Sequence, residues 1–170
     1  MNKKIIIIVL ILIVGVGILA YLNSVDSEDR LKNQRESVIF LQQDGEELTE
    51  VNFENIQELE QYEFEAVLRS SDSPDREVTY EGILLQDLFN ENGIFLTDLE
   101  QVVTRAVDGY TVALSQDEIR AEDNVYLVYK ADGEPLTPLE EGGSGPYQLV
   151  IREDDFGQRW NKGIMEIDIR

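Results

Sequence analysis

Cysteine and histidine are both missing from the 170 residues of this chain. The first absence removes disulfides, thiolate metal sites and cysteine nucleophiles. The second removes imidazole bases and imidazole metal ligands. Neither absence locates the chain, because an exported protein and a cytosolic one can both do without cysteine. Positive charge is scarce too, with 14 Lys and Arg against 35 Asp and Glu and a formal net charge of −21. From Ser37 onward only nine basic residues face 31 acidic ones. A field of that sign repels phosphate backbones and anionic headgroups and so excludes nucleic acid as a partner. The acidity itself reads as solubility, suited to a salty or alkaline medium.

One long apolar run is present, at the N-terminus. Met1-Asn2-Lys3-Lys4 is followed by Ile5 to Leu22 without a charged residue. As a helix, 18 residues span about 27 Å, close to the roughly 30 Å hydrocarbon core of a bilayer. Lysines precede the run, and Asp26, Glu28 and Asp29 follow it. The positive-inside rule then predicts a cytoplasmic N-terminus and an extracytoplasmic domain. A cleaved signal peptide would carry a shorter apolar core and a small-x-small site, and Leu19-Ala20-Tyr21-Leu22 offers no such pair. The expected organisation is a transmembrane signal-anchor over residues 1–22, a polar stalk over 23–36 and one domain over 37–170. That domain is long enough to bury a core unaided. Its apolar periodicity also separates it from a disordered acidic tail.

Along the domain, the Val38–Leu41 run before Gln43-Asp44-Gly45 predicts an edge strand, and Leu48–Phe53 a second strand. Asn52 is placed to cap a helix over Glu54–Gln61 with Ile56 and Leu59 inward. Tyr62, Phe64, Ala66 and Leu68 alternate with mostly charged residues, the pattern of a half-buried strand. Ser70–Asp75 reads as a polar loop, Glu77–Tyr80 as a strand, and Glu81-Gly82 as the turn into a helix over Leu84–Asn92, with Gly93 at its C-terminal end. Asp108-Gly109 predicts a hairpin between Val102–Val107 and Tyr110–Leu114. Ser115-Gln116-Asp117-Glu118 is a capping box for one helical turn. Strands are expected at Val125–Lys130, Tyr147–Arg152 and Ile164–Ile169, with an irregular loop over Pro135–Pro146. This is an α+β pattern, mainly antiparallel or mixed sheet with a few short helices.

Three stretches resemble the oxidoreductase molybdopterin-binding domain family, which has the sulfite oxidase-like fold. They are Thr79–Phe89, Ala106–Leu114, and Gly142–Ile151 followed by Arg159-Trp160 and the closing strand Ile164–Ile169. In that family a cysteine ligates molybdenum in the loop after a strand that looks like Phe64–Leu68. Here the loop reads Arg69-Ser70-Ser71-Asp72, and no cysteine exists to replace. The resemblance implies molybdopterin as cofactor, with Ser70 or Ser71 as the conceivable oxygen ligand in place of the thiolate. It also implies basic side chains around the pterin phosphate, which here would require several of the nine cations to converge.

Other residues carry candidate chemistry. Asp108 and Tyr110 stand either at a pocket rim or simply in a hairpin turn. Arg159, Trp160 and Lys162 form a basic-aromatic cluster in a loop that the family uses near its cofactor. Trp160 reads equally as a core residue with cations beside it. Gly142-Gly143-Ser144-Gly145 lacks a following helix and reads as a flexible loop rather than an anion cradle. Glu153-Asp154-Asp155 and Asp72, Asp75 and Glu77 are carboxylate clusters without the pattern of a calcium loop. The leading expectation is a membrane-anchored, extracytoplasmic module of this fold, without the metal ligand, that binds a ligand or another envelope protein. The alternative is an active molybdopterin-dependent oxidoreductase with non-cysteine ligation.

Overall fold

The computed structural model describes residues 12–15, 36–70, 73–95 and 101–170. The proposed anchor, apart from residues 12–15, lies outside the described residues, as do Ser71 and all of the stalk but Glu36. Among the described residues, no helix is long and apolar enough to cross a membrane.

The described residues of the domain form ten strands in two five-stranded sheets. In chain order the strands are β1 (Val38–Gln43), β2 (Glu46–Asn52), β3 (Tyr62–Ser70), β4 (Ser73–Leu84), β5 (Val102–Ala106), β6 (Thr111–Leu114), β7 (Val125–Ala131), β8 (Glu134–Pro135), β9 (Gln148–Ile151) and β10 (Ile164–Ile169). The helices are α1 (Phe53–Glu58), α2 (Leu85–Glu91) and α3 (Gln116–Arg120). One sheet has the order β2-β1-β10-β5-β6, and β1 lies parallel to β10 while its other pairs are antiparallel. The second sheet runs β3-β4-β7, and β7 takes β9 and the short β8 along its far side. A single apolar cluster draws on both sheets, with Ile39, Leu41 and Ile167 from the first and Ile83, Leu127 and Leu149 from the second, all fully buried. The architecture is therefore the sheet-dominated α+β fold that the patterning predicts.

Local signals hold wherever the chemistry is local. Asn52 caps α1 through a reciprocal pair with Asn55, at 2.9 and 3.1 Å. Ser115 and Glu118 form the expected capping box on α3. The Asp108-Gly109 turn joins β5 to β6, and Ile164–Ile169 is strand β10 as predicted. Side chains 62, 64, 66 and 68 of β3 are half-buried, and 63, 65 and 67 are exposed.

Four expectations are corrected. First, β1 is not an edge strand, because β10 pairs with its second side. Second, α1 stops at Glu58, three residues short of Gln61, and the Gln61 side-chain amide donates back to the Ile56 and Leu59 carbonyls at 2.8 Å. Third, Ser70–Asp75 is not a polar loop. β3 and β4 pair out to Ser70 opposite Ser73, leaving only Ser71 and Asp72 between them. Fourth, Glu81-Gly82 is not a turn, since β4 runs through both residues with a bulge that shifts it onto β7. Gly82 is required there by packing, because a Cβ would lie 2.3 Å from the Leu127 carbonyl oxygen.

Candidate functional site

The β3–β4 hairpin is the base of the site. Residues directly opposed in an antiparallel pair share a face, so Leu68 lies with Arg76, Ala66 with Val78, and Phe64 with Tyr80. Leu68, Arg76, Val78 and Tyr80 floor a cleft of about 610 Å³. The 134–137 segment and the 142–144 loop wall it, Gln148 at the start of β9 closes one end, and Lys162 stands at its edge.

The glycine loop is not flexible chain. The Gly143 amide donates to the Pro138 carbonyl at 3.0 Å and the Gly145 amide to the Thr137 carbonyl at 2.7 Å. A Cβ on Gly143 would lie 2.1 Å from the Thr137 carbonyl oxygen, so the loop packs against 136–138 only because glycine is there. With those amides already donating, they do not form an anion cradle.

The cleft's polar side chains differ in how they are satisfied. Arg76 pairs with Asp132, whose carboxyl sits below its ordinary 3.8 because the Thr79 amide and Arg76 both donate to it. Tyr80 is 3% exposed and Gln148 2% exposed. Among the described residues, neither the Tyr80 hydroxyl nor the Gln148 side-chain amide has a hydrogen-bond partner. Both line the cleft. Burial pushes the Tyr80 hydroxyl up to about 12, so it stays a neutral phenol able to donate. The Lys162 ammonium forms no ion pair among the described residues.

A second pocket, of about 170 Å³, lies on the other side of Lys162. Asp108, Tyr110, Trp160 and Lys162 line it, so the structure brings together four of the seven residues singled out from the sequence. Two of its polar side chains are engaged by the fold, and the Asn161 Oδ1 is buried without a partner among the described residues. Asp108 accepts from the Tyr110 amide at 2.9 Å, and the Tyr110 hydroxyl donates to the Gln158 carbonyl at 3.1 Å. Trp160 is 3% exposed, donates through Nε1 to the Ile151 carbonyl at 3.0 Å and meets Tyr80 edge to face. It is a core side chain forming one wall of the pocket.

Arg159 does not join this group. Its guanidinium pairs with Asp154 and, at 2.7 Å, with Glu118 of α3. Those hydrogen bonds raise its affinity for its proton still further. Burial works against ionisation of Glu118, but hydrogen bonds from Ser115 and Arg159 outweigh it and hold the carboxyl below its ordinary 4.5. Ser70 ends β3, and Ser71 lies outside the described residues.

Nor do the nine basic residues converge. Arg69 pairs with Asp75, Arg105 with Glu166, Lys130 with Glu81 and Arg170 with Asp168, on elements spread over both sheets. Among the described residues, no three carboxylates come together in a way that could hold a metal ion.

Sequence reasoning missed Arg76, Tyr80 and Gln148. Tyr80 and Gln148 lie in strands and read as core. The one available signal was a glutamine opening the otherwise apolar run Gln148-Leu149-Val150-Ile151.

The sheet-dominated α+β fold is of the sulfite oxidase-like kind. It is similar to the crystal structure of the sulfane dehydrogenase SoxCD from Paracoccus pantotrophus, with a TM-score of 0.65 at 16% sequence identity. The match covers 80% of this chain and 38% of that one, so this chain corresponds to well under half of that protein's length. No curated protein matches the sequence. The model of the oxidoreductase molybdopterin binding domain matches residues 34–170, and the chain belongs to that family.

Membership raises the question of whether these residues fit the family's cofactor. No thiolate or imidazole exists to ligate molybdenum. The stretch that resembles the ligand loop, Arg69–Asp72, follows strands β3 and β4 that pair up to Ser70 and Ser73. Of the cleft's two cations, Arg76 is already neutralised by Asp132. The residues present do not fit a thiolate-ligated molybdenum centre.

Proposed function

We propose that this protein is a membrane-anchored, extracytoplasmic binding module that keeps the molybdopterin-oxidoreductase fold and has lost its metal ligation. The observation that carries this reading is a pairing of features. The chain has no cysteine or histidine at the end of the β3–β4 hairpin, the stretch that resembles the family's ligand loop, or anywhere else, and a cleft of about 610 Å³ lies beside that hairpin. A pocket of that size falls within the range of about 300–1,000 Å³ typical of small-molecule sites. The cleft is therefore the ligand-facing surface, and the membrane helix together with a neighbouring envelope protein supplies the setting. Support for the anchor comes from the uncharged run Ile5–Leu22 behind Lys3 and Lys4.

The test uses the full chain, produced in a host that makes molybdenum cofactor. Elemental analysis for molybdenum and fluorescence of released pterin should both be blank. Stoichiometric pterin with molybdenum would overturn the proposal in favour of an active oxidoreductase and make Ser70 and Ser71 the first residues to substitute. Membrane fractionation and protease accessibility of the same cells test the topology. A domain shielded from external protease in intact cells lacking an outer barrier would count against it.

A further inference from the structure

The unsatisfied groups of the cleft define a ligand more narrowly than its volume does. Three observations bear on its chemistry. First, Tyr80 and Gln148 are more than nine-tenths buried as residues and line the same cleft, and the Tyr80 hydroxyl and Gln148 amide have no protein partner among the described residues. Two such groups on one cleft are free to hydrogen-bond an occupant without breaking a bond within the fold. Between them they offer donors and one amide acceptor.

Second, the charge available to a ligand is small. Arg76 is met by Asp132, which leaves Lys162, among the described residues, as the cation of the cleft without a counter-charge. Glu134 lines the opposite wall and repels a second negative charge on the occupant. The acidic surface of the whole domain acts in the same direction, so phosphates and other polyanions are disfavoured. Third, Leu68, Val78 and Leu136 give the cleft an apolar floor and side.

We infer that the cleft binds a small organic mono-anion with an apolar body, of the carboxylate class. The anionic group sits at Lys162, the hydrogen-bonding edge of the ligand meets Tyr80 and Gln148, and the hydrocarbon lies over Leu68 and Leu136. This rests on the binding-module reading above and names the ligand chemistry of its site.

Hexanoate is a suitable probe, with hexanamide as its uncharged counterpart and inorganic phosphate as the polyanion. The full chain in lipid nanodiscs is titrated with each and followed by ligand-observed NMR, after the pterin assay has been run on the same batch. Hexanoate should bind, and phosphate should neither bind nor compete. Lys162→Met, an exposed position that leaves the core alone, should weaken hexanoate about tenfold while leaving hexanamide unchanged. Gln148→Leu should weaken both, with circular dichroism verifying the fold. Hexanoate binding that neither variant alters, or phosphate binding tighter than hexanoate, would overturn the inference. Pterin-free protein that ignores hexanoate sinks this inference alone. Pterin in the purified chain sinks both this and the reading it rests on.

Discussion

The two cavities that share Lys162 are built on opposite principles. In the smaller one, the groups singled out from the sequence are engaged by the fold, with Asp108 on the Tyr110 amide, Tyr110 on the Gln158 carbonyl and the Trp160 indole on Ile151, while the Asn161 Oδ1 is buried without a partner among the described residues. In the larger one, the Tyr80 hydroxyl and the Gln148 amide have no hydrogen-bond partner among the described residues, and both side chains come from paired strands, β4 and β9. A residue that looks functional on account of being polar and near a turn is thus often the one already engaged by that turn. The groups left for a ligand are those whose backbone is engaged in sheet pairing and whose side chain is not.

The comparison can be broken most severely at the indole that walls the small pocket and packs on Tyr80. Trp160→Ala should cost about 3–5 kcal/mol, read as a lowered midpoint in urea unfolding. A loss below 1 kcal/mol would mean that Trp160 is not the core side chain described here. Next in size is the link between α3 and the Arg159 loop. Glu118 is held below its ordinary 4.5 in the folded chain, so its contribution is complete above about pH 4.5 and is lost as pH falls through the depressed folded value. Glu118→Gln should therefore lose about 1 kcal/mol at pH 7, and its difference from the parent should shrink as the pH is lowered below 4.5. A difference independent of pH would sever the link from the carboxylate charge.

The contrast is sharpened by a change of opposite sign. Gln148→Leu removes a buried amide that lacks a partner, so the ligand-free protein should be unchanged or gain up to about 1 kcal/mol. A clear loss of stability would mean that the amide is satisfied within the fold. The smallest effect is expected in the other pocket. Tyr110→Phe gives up one half-exposed hydrogen bond to the Gln158 carbonyl and should cost roughly 0.5 kcal/mol, at the edge of what equilibrium unfolding resolves.

The same contrast explains what the sequence disclosed. The caps at Asn52 and Ser115 and the turn at Asp108-Gly109 were legible because their partners lie within three residues. The place of β1 was not, since its second neighbour, β10, lies more than a hundred residues away and Val38–Leu41 carries no mark of which sides will be paired. The hairpin at Ser70–Ser73 was read as a loop from its polar composition. Pairing extends through it because β3 and β4 are aligned by the apolar alternation further down, from Tyr62–Gly82 to Leu68–Arg76. At the site, the resemblance pointed to the glycine loop and Lys162, and Gly142, Gly143, Ser144 and Lys162 line the cleft. It could not show that Arg159 is turned aside by Glu118 and Asp154, because those carboxylates come from two other parts of the chain.

The parallel pairing of β1 with β10 has a mechanical consequence. The domain's first strand and its last lie side by side and point the same way, with Leu41 beside Ile167 and Gln43 beside Ile169. A pull applied between the start of β1 and the end of β10 drags the two strands along each other, so their hydrogen bonds bear the load together instead of opening one at a time. Resistance to such a force is set by the rate of crossing one high barrier rather than by overall stability. The β1–β10 seam would thus act as a shear clamp when the two ends of the domain are drawn apart.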